Sequence, residues 1–226
     1  MPIISYLWLV KNFVMKSFRG INELLFPPRC LGCRSLNVGL CSQCVLVWKE
    51  SSFQTSINAT SVFSSVPYTS VATNILIAAK EDGIEEADDL LVEMLRYSLF
   101  RAVAALETHP ILVPIPSTSR AVRRRGRNFL VEIAGRVGKL EYFPVRNLLR
   151  HNRIVQDQSM LNARARCGNL SGALSVMSLL GKGADVLLID DLVTTGATLN
   201  EAERVLTIAG FTVRGAITAC VALPLR

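Results

Sequence analysis

Apolar positions change their period along this chain, and the changes mark its elements. Ile4, Leu7, Trp8, Val14, Met15 and Phe18 recur at helical spacing, which predicts an amphipathic helix within residues 1–29. Pro27 and Pro28 end it, because proline cannot continue a helix. Lys11, Lys16 and Arg19 interrupt the apolar run, so it reads neither as a signal peptide nor as a bilayer span. A helix packing on the rest of the protein is the first reading, and a membrane-surface or partner-binding helix is the alternative. Residues 49–65 are rich in Ser and Thr and read as a linker or an irregular strand pair.

From Val66 the pattern becomes mixed. Asn74 to Leu106 reads as helices broken at Gly83, and Asn128 to Val137 as another helix. Ile111 to Ile115 and Val186 to Ile189 are short, wholly apolar runs, the mark of strands buried on both faces. Leu199 to Ala209 is an amphipathic helix with Gly210 placed to cap it, and Thr212 to Leu223 alternates as a strand. Strand, loop, helix, strand is the grammar of an α/β fold with a parallel sheet.

Composition narrows this picture. The 226 residues suffice for one full-sized domain and a small appendage. Half are hydrophobic but only 7% are aromatic, which favours helices packed on a sheet over a β sandwich. A net charge of +7 suits phosphate-bearing partners, whether small ligands or nucleic acid.

Four of the six cysteines form two Cys-x-x-Cys pairs, Cys30 with Cys33 and Cys41 with Cys44. Zn²⁺ takes four thiolates in a tetrahedron, and each pair supplies two. Residues 30–48 therefore read as a structural zinc knuckle, like a double zinc ribbon. A redox dithiol or plain buried cysteines are the alternatives. The usage fits a cytoplasmic setting. Cys167 and Cys220 read as ordinary.

The richest stretch runs from Val186 to Leu199. Four apolar residues precede Asp190 and Asp191, followed by Thr194, Thr195, Gly196, Ala197 and Thr198 at a helix start. In open α/β sheets ligands bind at the carboxyl ends of strands, and a helix start offers free N–H groups to an anion. Gly196 permits close backbone approach, and the threonines add hydroxyl donors. The loop reads as a phosphate cradle. The adjacent aspartates fit ribose hydroxyls beside that phosphate, or a Mg²⁺ ion.

This stretch resembles the 5-phosphoribosyl-1-pyrophosphate (PRPP) signature of type I phosphoribosyltransferases. Other segments extend the likeness: Leu24 to Cys33, Pro114 to Pro116, Arg120, Arg125 to Asn128, then Gln158, Leu161, Arg166, Asn169 and Gly172. Together they resemble the ComF family, named for a late competence protein and including the GntX-type proteins, over residue 24 onward. Departures stand at Arg127 and Phe129, where the family has Phe and Gln, and at Glu81 and Asp82 after a family lysine, Lys80.

The resemblance implies a phosphoribosyltransferase-like sheet flanked by helices over residues 66–226. It further implies that Asp190 and Asp191 serve catalysis by holding the ribose of PRPP, with Mg²⁺, while Thr194 to Thr198 hold its 5-phosphate. By the same resemblance Ser117, Arg120, Arg125 and Arg166 meet the pyrophosphate, the last from a loop over the site. Arg123 and Arg124 complete a run of arginines and are expected to be solvated or to reach nucleic acid. His151 is a conceivable general base. The first functional expectation is phosphoribosyl transfer to a nitrogen-base acceptor. The alternative is a non-catalytic PRPP binder, or an accessory of competence machinery handling single-stranded DNA.

Overall fold

The structure is a computed structural model that describes residues 27–36, 39–49, 51–152, 172–177 and 181–223. The amphipathic helix expected before Pro27, and the loop carrying Gln158, Leu161, Arg166, Cys167 and Asn169, lie outside the described residues.

A short helix α1 (Ser42–Val47) opens the described chain. The Ser/Thr-rich segment forms a strand pair, β1 (Phe53–Ile57) and β2 (Thr60–Pro67), turning at Asn58 in the left-handed region. Two helices come next, α2 (Ser70–Lys80) and α3 (Glu85–Leu106). They part at Gly83, whose φ of 65° a side chain would resist. Then come β3 (Ile111–Pro114), α4 (Ser119–Arg125), α5 (Phe129–Glu141), and the two-stranded pair β4 (Leu149–His151) and β5 (Leu174–Val176). The last described elements are β6 (Asp185–Val193), α6 (Ala197–Ile208) and β7 (Thr212–Val221).

The main sheet has the order β1-β2-β7-β6-β3, with β2, β7, β6 and β3 parallel and β1 antiparallel at one edge. This is the α/β sheet with flanking helices that the pattern predicts. Val186 to Ile189 are wholly buried, as a central strand covered on both faces requires. Helix α3 packs on β2 and β7, and α5 packs on β3 and β6 and against α3. Leu91, Leu95 and Leu99 of α3 and Phe129 and Ile133 of α5 are nearly fully buried in the core. Among the described residues no helix is long and apolar enough to cross a membrane.

Helix α2 links the cysteine segment to the sheet's acidic pair. Thr69 caps it, its side chain accepting from Ala72 N, and it ends at Lys80. Near its start it meets the cysteine segment, where Asn74 Nδ2 donates to Gly32 O at 2.5 Å. A Cβ on Gly32 would lie 2.7 Å from Cys44 Sγ and 2.9 Å from Val71 Cγ1, so only glycine fits between the cysteines and the helix.

Candidate functional site

Strand β6 is longer than its apolar run. It continues through the acidic pair to Val193, with Asp190 opposite Thr218 and Leu192 opposite Cys220 on β7. The aspartates thus stand within the strand, held by the ladder, with their carboxyls close enough to interact. Asp190 folds back locally, its Oδ1 accepting from Asp191 N at 2.9 Å. Asp191 is buried, and its Oδ2 lies 2.6 Å from Lys80 Nζ at the end of α2.

The two carboxyls titrate apart. Burial, and then the charge of Asp191, push Asp190 well above the ordinary carboxylate range. Burial also opposes ionisation of Asp191, but the Lys80 ammonium overrides it and holds that carboxyl below the range. Burial opposes the charge of Lys80 too, and Asp191 more than restores it, so the ammonium is held more firmly than usual. One strand therefore presents a carboxyl whose ionisation burial opposes beside one that Lys80 holds as an anion.

Past Val193 the chain turns through the threonine loop. Thr195 Oγ1 accepts from Ala197 N at 3.3 Å, and Gly196 adopts a φ of 73°. A Cβ at Gly196 would lie 2.4 Å from Ile57 Cδ1, so the β1–β2 turn packs against this loop. Asn58 Nδ2 donating to Asn200 Oδ1 at 3.1 Å ties the same turn to α6. Thr198 lies in the first turn of α6, whose leading N–H groups stand outside the intrahelical ladder.

The arginine run is divided by its partners. Arg127 forms a two-pronged pair with Asp88, both contacts at 2.7 Å. Its guanidinium lies 5.2 Å from the centre of the Phe129 ring, and Lys80 Nζ lies 5.8 Å from the same centre. Both cations thus lie near one ring, with Arg127 anchored on Asp88. Arg125 and Arg124 both bind Glu81, which follows Lys80. Sequence reasoning separated Arg124 from Arg125, and the structure joins them on one carboxylate. Arg120 is exposed in the first turn of α4, and Ser117 is half-buried in the loop between β3 and α4. His151 Nε2 lies 3.0 Å from Pro116 O. A carbonyl only accepts, so Nε2 carries the hydrogen there. The ring ties β4 to the loop carrying Ser117.

A cavity of about 200 Å³ joins several of these groups, with Tyr68, Leu76, Ile77, Lys80, Glu81 and Asp191 in its lining. Asp88 escaped sequence reasoning. Its signal was an acidic residue at helical spacing from Leu91, Val92, Leu95 and Leu99, a carboxylate on a core-facing stripe that needs a cation.

The four knuckle cysteines converge. The sulfurs of Cys30, Cys33, Cys41 and Cys44 all lie within 4.8 Å of one another, with Cys33 and Cys41 3.7 Å apart. A tetrahedron with zinc–sulfur bonds of about 2.3 Å spaces its sulfurs about 3.8 Å apart. Burial opposes ionisation of Cys30, but N–H groups, foremost that of Cys41, pull its thiol down to about 6. Burial and the neighbouring sulfurs push Cys44 up. Four thiols this close cannot all ionise without a cation between them, so the donor set fits a soft dication such as Zn²⁺.

No protein-family model matches the chain, and no curated protein matches it. Among solved structures, an adenine phosphoribosyltransferase from Leishmania donovani is similar at 13% identity and a TM-score of 0.40, over 76% of this chain and 86% of that one. A structure described as the allosteric regulatory enzyme of purine biosynthesis is similar at 21% identity and a TM-score of 0.31, over 56% of this chain and 25% of that one. The protein TT1426 from Thermus thermophilus is similar at 16% identity and a TM-score of 0.35, over 60% of this chain and 86% of that one.

Proposed function

We propose that this chain binds PRPP and transfers its phosphoribosyl group to a nitrogen nucleophile, releasing pyrophosphate. One observation carries the reading: an acidic pair held near the end of β6, with Asp191 fixed by Lys80, leads straight into a threonine–glycine loop at a helix start. The 5-phosphate takes the loop, where Thr194, Thr195 and Thr198 offer hydroxyls and α6 offers N–H groups. Asp191, an anion, accepts from a ribose hydroxyl, and Asp190 meets the hydroxyl beside it. Ser117 and the arginines of α4 face the pyrophosphate side of the substrate.

Attack at the anomeric carbon forms a carbon–nitrogen bond as the bond to pyrophosphate breaks. The electron pair leaves on pyrophosphate, and the nucleophile loses its proton. Positive charge develops on the ribose ring, so fixed carboxyls on one side and guanidiniums on the other stabilise the transition state by position. The carboxylate oxygens suit a hard dication, and Mg²⁺ bound with PRPP would supply further neutralisation of pyrophosphate. Residues 30–48 act as a closed structural metal site outside the chemistry.

Incubation with PRPP, Mg²⁺ and a panel of nitrogen bases or ammonia, monitored for pyrophosphate release, tests the reading. Release that depends on one acceptor supports it. Saturable PRPP binding with no release on any acceptor supports the non-catalytic binder instead.

A further inference from the structure

One carboxylate in this molecule is held by two arginines of another helix. Arg124 Nη2 donates to Glu81 at 2.8 and 3.0 Å, and Arg125 donates to Glu81 Oε1 through Nη2 at 2.7 Å and Nε at 3.2 Å. Two guanidiniums converge on one carboxylate. A guanidinium fork matches the oxygens of a carboxylate and of a phosphate alike.

The surroundings favour exchange. Glu81 follows Lys80 in the chain, and both line the cavity that reaches Asp191. The last turn of α4, the helix that follows the loop from the carboxyl end of β3, supplies the fork. The Arg125 side chain is 12% exposed, so packing holds it in place, whereas Glu81 is 35% and Arg124 56% exposed. A half-exposed ion pair of this kind costs little to open, because water and salt take over its charges. Arg120, by contrast, makes none of the ion pairs found among the described residues and points from an exposed position.

We propose that Arg124 and Arg125 form a diphosphate site whose resident counter-ion is the Glu81 carboxylate. Glu81 competes with incoming phosphate oxygens for the same N–H groups, and so sets how tightly they are held. The site deepens the PRPP reading by naming the fork for the pyrophosphate arm, and it rests on that reading for the identity of the natural ligand.

The probe is inorganic pyrophosphate, titrated calorimetrically into the whole protein at fixed salt. Glu81→Gln removes the competing charge and keeps the shape, so it should bind pyrophosphate about tenfold more tightly than the unaltered protein. Adding Arg124→Ala and Arg125→Ala to it should abolish the gain. Equal or weaker binding by Glu81→Gln in folded protein overturns the proposal, as does a gain that survives loss of both arginines. A second measurement needs no substitution at Glu81. The Arg125 Nε resonance, assigned by its loss in Arg125→Ala, should move on pyrophosphate addition to the unaltered protein, and a fixed resonance at saturation overturns the proposal. Parallel PRPP titrations of the Asp190→Asn, Asp191→Asn variant keep the readings apart. If PRPP binding requires the aspartates while Glu81→Gln gains nothing, the fork proposal fails and the PRPP reading stands. If the gain appears but the aspartates are dispensable, the PRPP reading fails and the fork stands.

Discussion

Lys80 Nζ lies 2.6 Å from Asp191 Oδ2, so the last residue of α2 holds an aspartate of the central strand as an anion beside a neighbour whose ionisation burial opposes. The two aspartates, adjacent in sequence, should therefore respond in opposite directions to the same substitution. Asp191→Asn leaves the Lys80 ammonium half-buried without its partner and should lower stability at pH 7 by about 1–3 kcal/mol. Asp190→Asn removes a carboxyl whose ionisation burial opposes and should raise it.

The pH dependence has a definite sign for each. Asp191 titrates lower when folded, so its contribution is present above the unfolded value, about 3.9, and is lost as pH falls through the depressed folded value. Asp190 titrates higher when folded, so its cost is small below about 4 and grows as pH rises toward the raised folded value. Urea denaturation should show the Asp190→Asn gain shrinking toward pH 4 while the Asp191→Asn deficit persists there. Parallel behaviour of the two variants would contradict the assignment.

Arg127 and Asp88 give a structural contrast to the binding residues. Asp88 is buried, and both its oxygens are taken by Arg127 at 2.7 Å. Arg127→Ala strands a buried carboxylate and should destabilise the protein by about 3 kcal/mol or more. Asp88→Asn in the same background should restore part of that loss. Thermal melts of the single and double variants measure both effects, and additive losses would contradict the pairing.

The knuckle should hold one zinc per chain on Cys30, Cys33, Cys41 and Cys44. Chelation should lower the melting temperature by more than about 5 °C. Because α2 joins the knuckle at Gly32 and Asn74 and carries Lys80 at its other end, chelation should also weaken PRPP binding. Metal analysis and thiol counting on protein purified under reducing conditions check this. Zinc-free protein with all four thiols reactive would contradict it.

Much of this arrangement was legible in residue order. Wholly apolar runs marked β3 and β6, because a strand covered on both faces has no room for polar side chains. Gly83 and Gly210 marked breaks, because the chain there turns through positive φ. The knuckle spacing brought four sulfurs together. What order did not carry was pairing between distant segments. Glu81 and Arg125 lie 44 residues apart, and Asp191 and Lys80 lie 111 apart. Each charge alone reads as a solvated surface residue until the sheet places its partner. The extent of β6 was hidden for a related reason. Aspartates are poor strand formers in isolation, but the ladder to Thr218 and Cys220 holds them in place.

The central claim is that the acidic pair and the loop after it bind PRPP. Calorimetric titration of PRPP with Mg²⁺ into the unaltered protein and the Asp190→Asn, Asp191→Asn double variant tests this most directly. The account predicts saturable binding at one site in the first and a loss of at least about tenfold in affinity in the second. Equal affinity in the two proteins, or no binding in either, would contradict it.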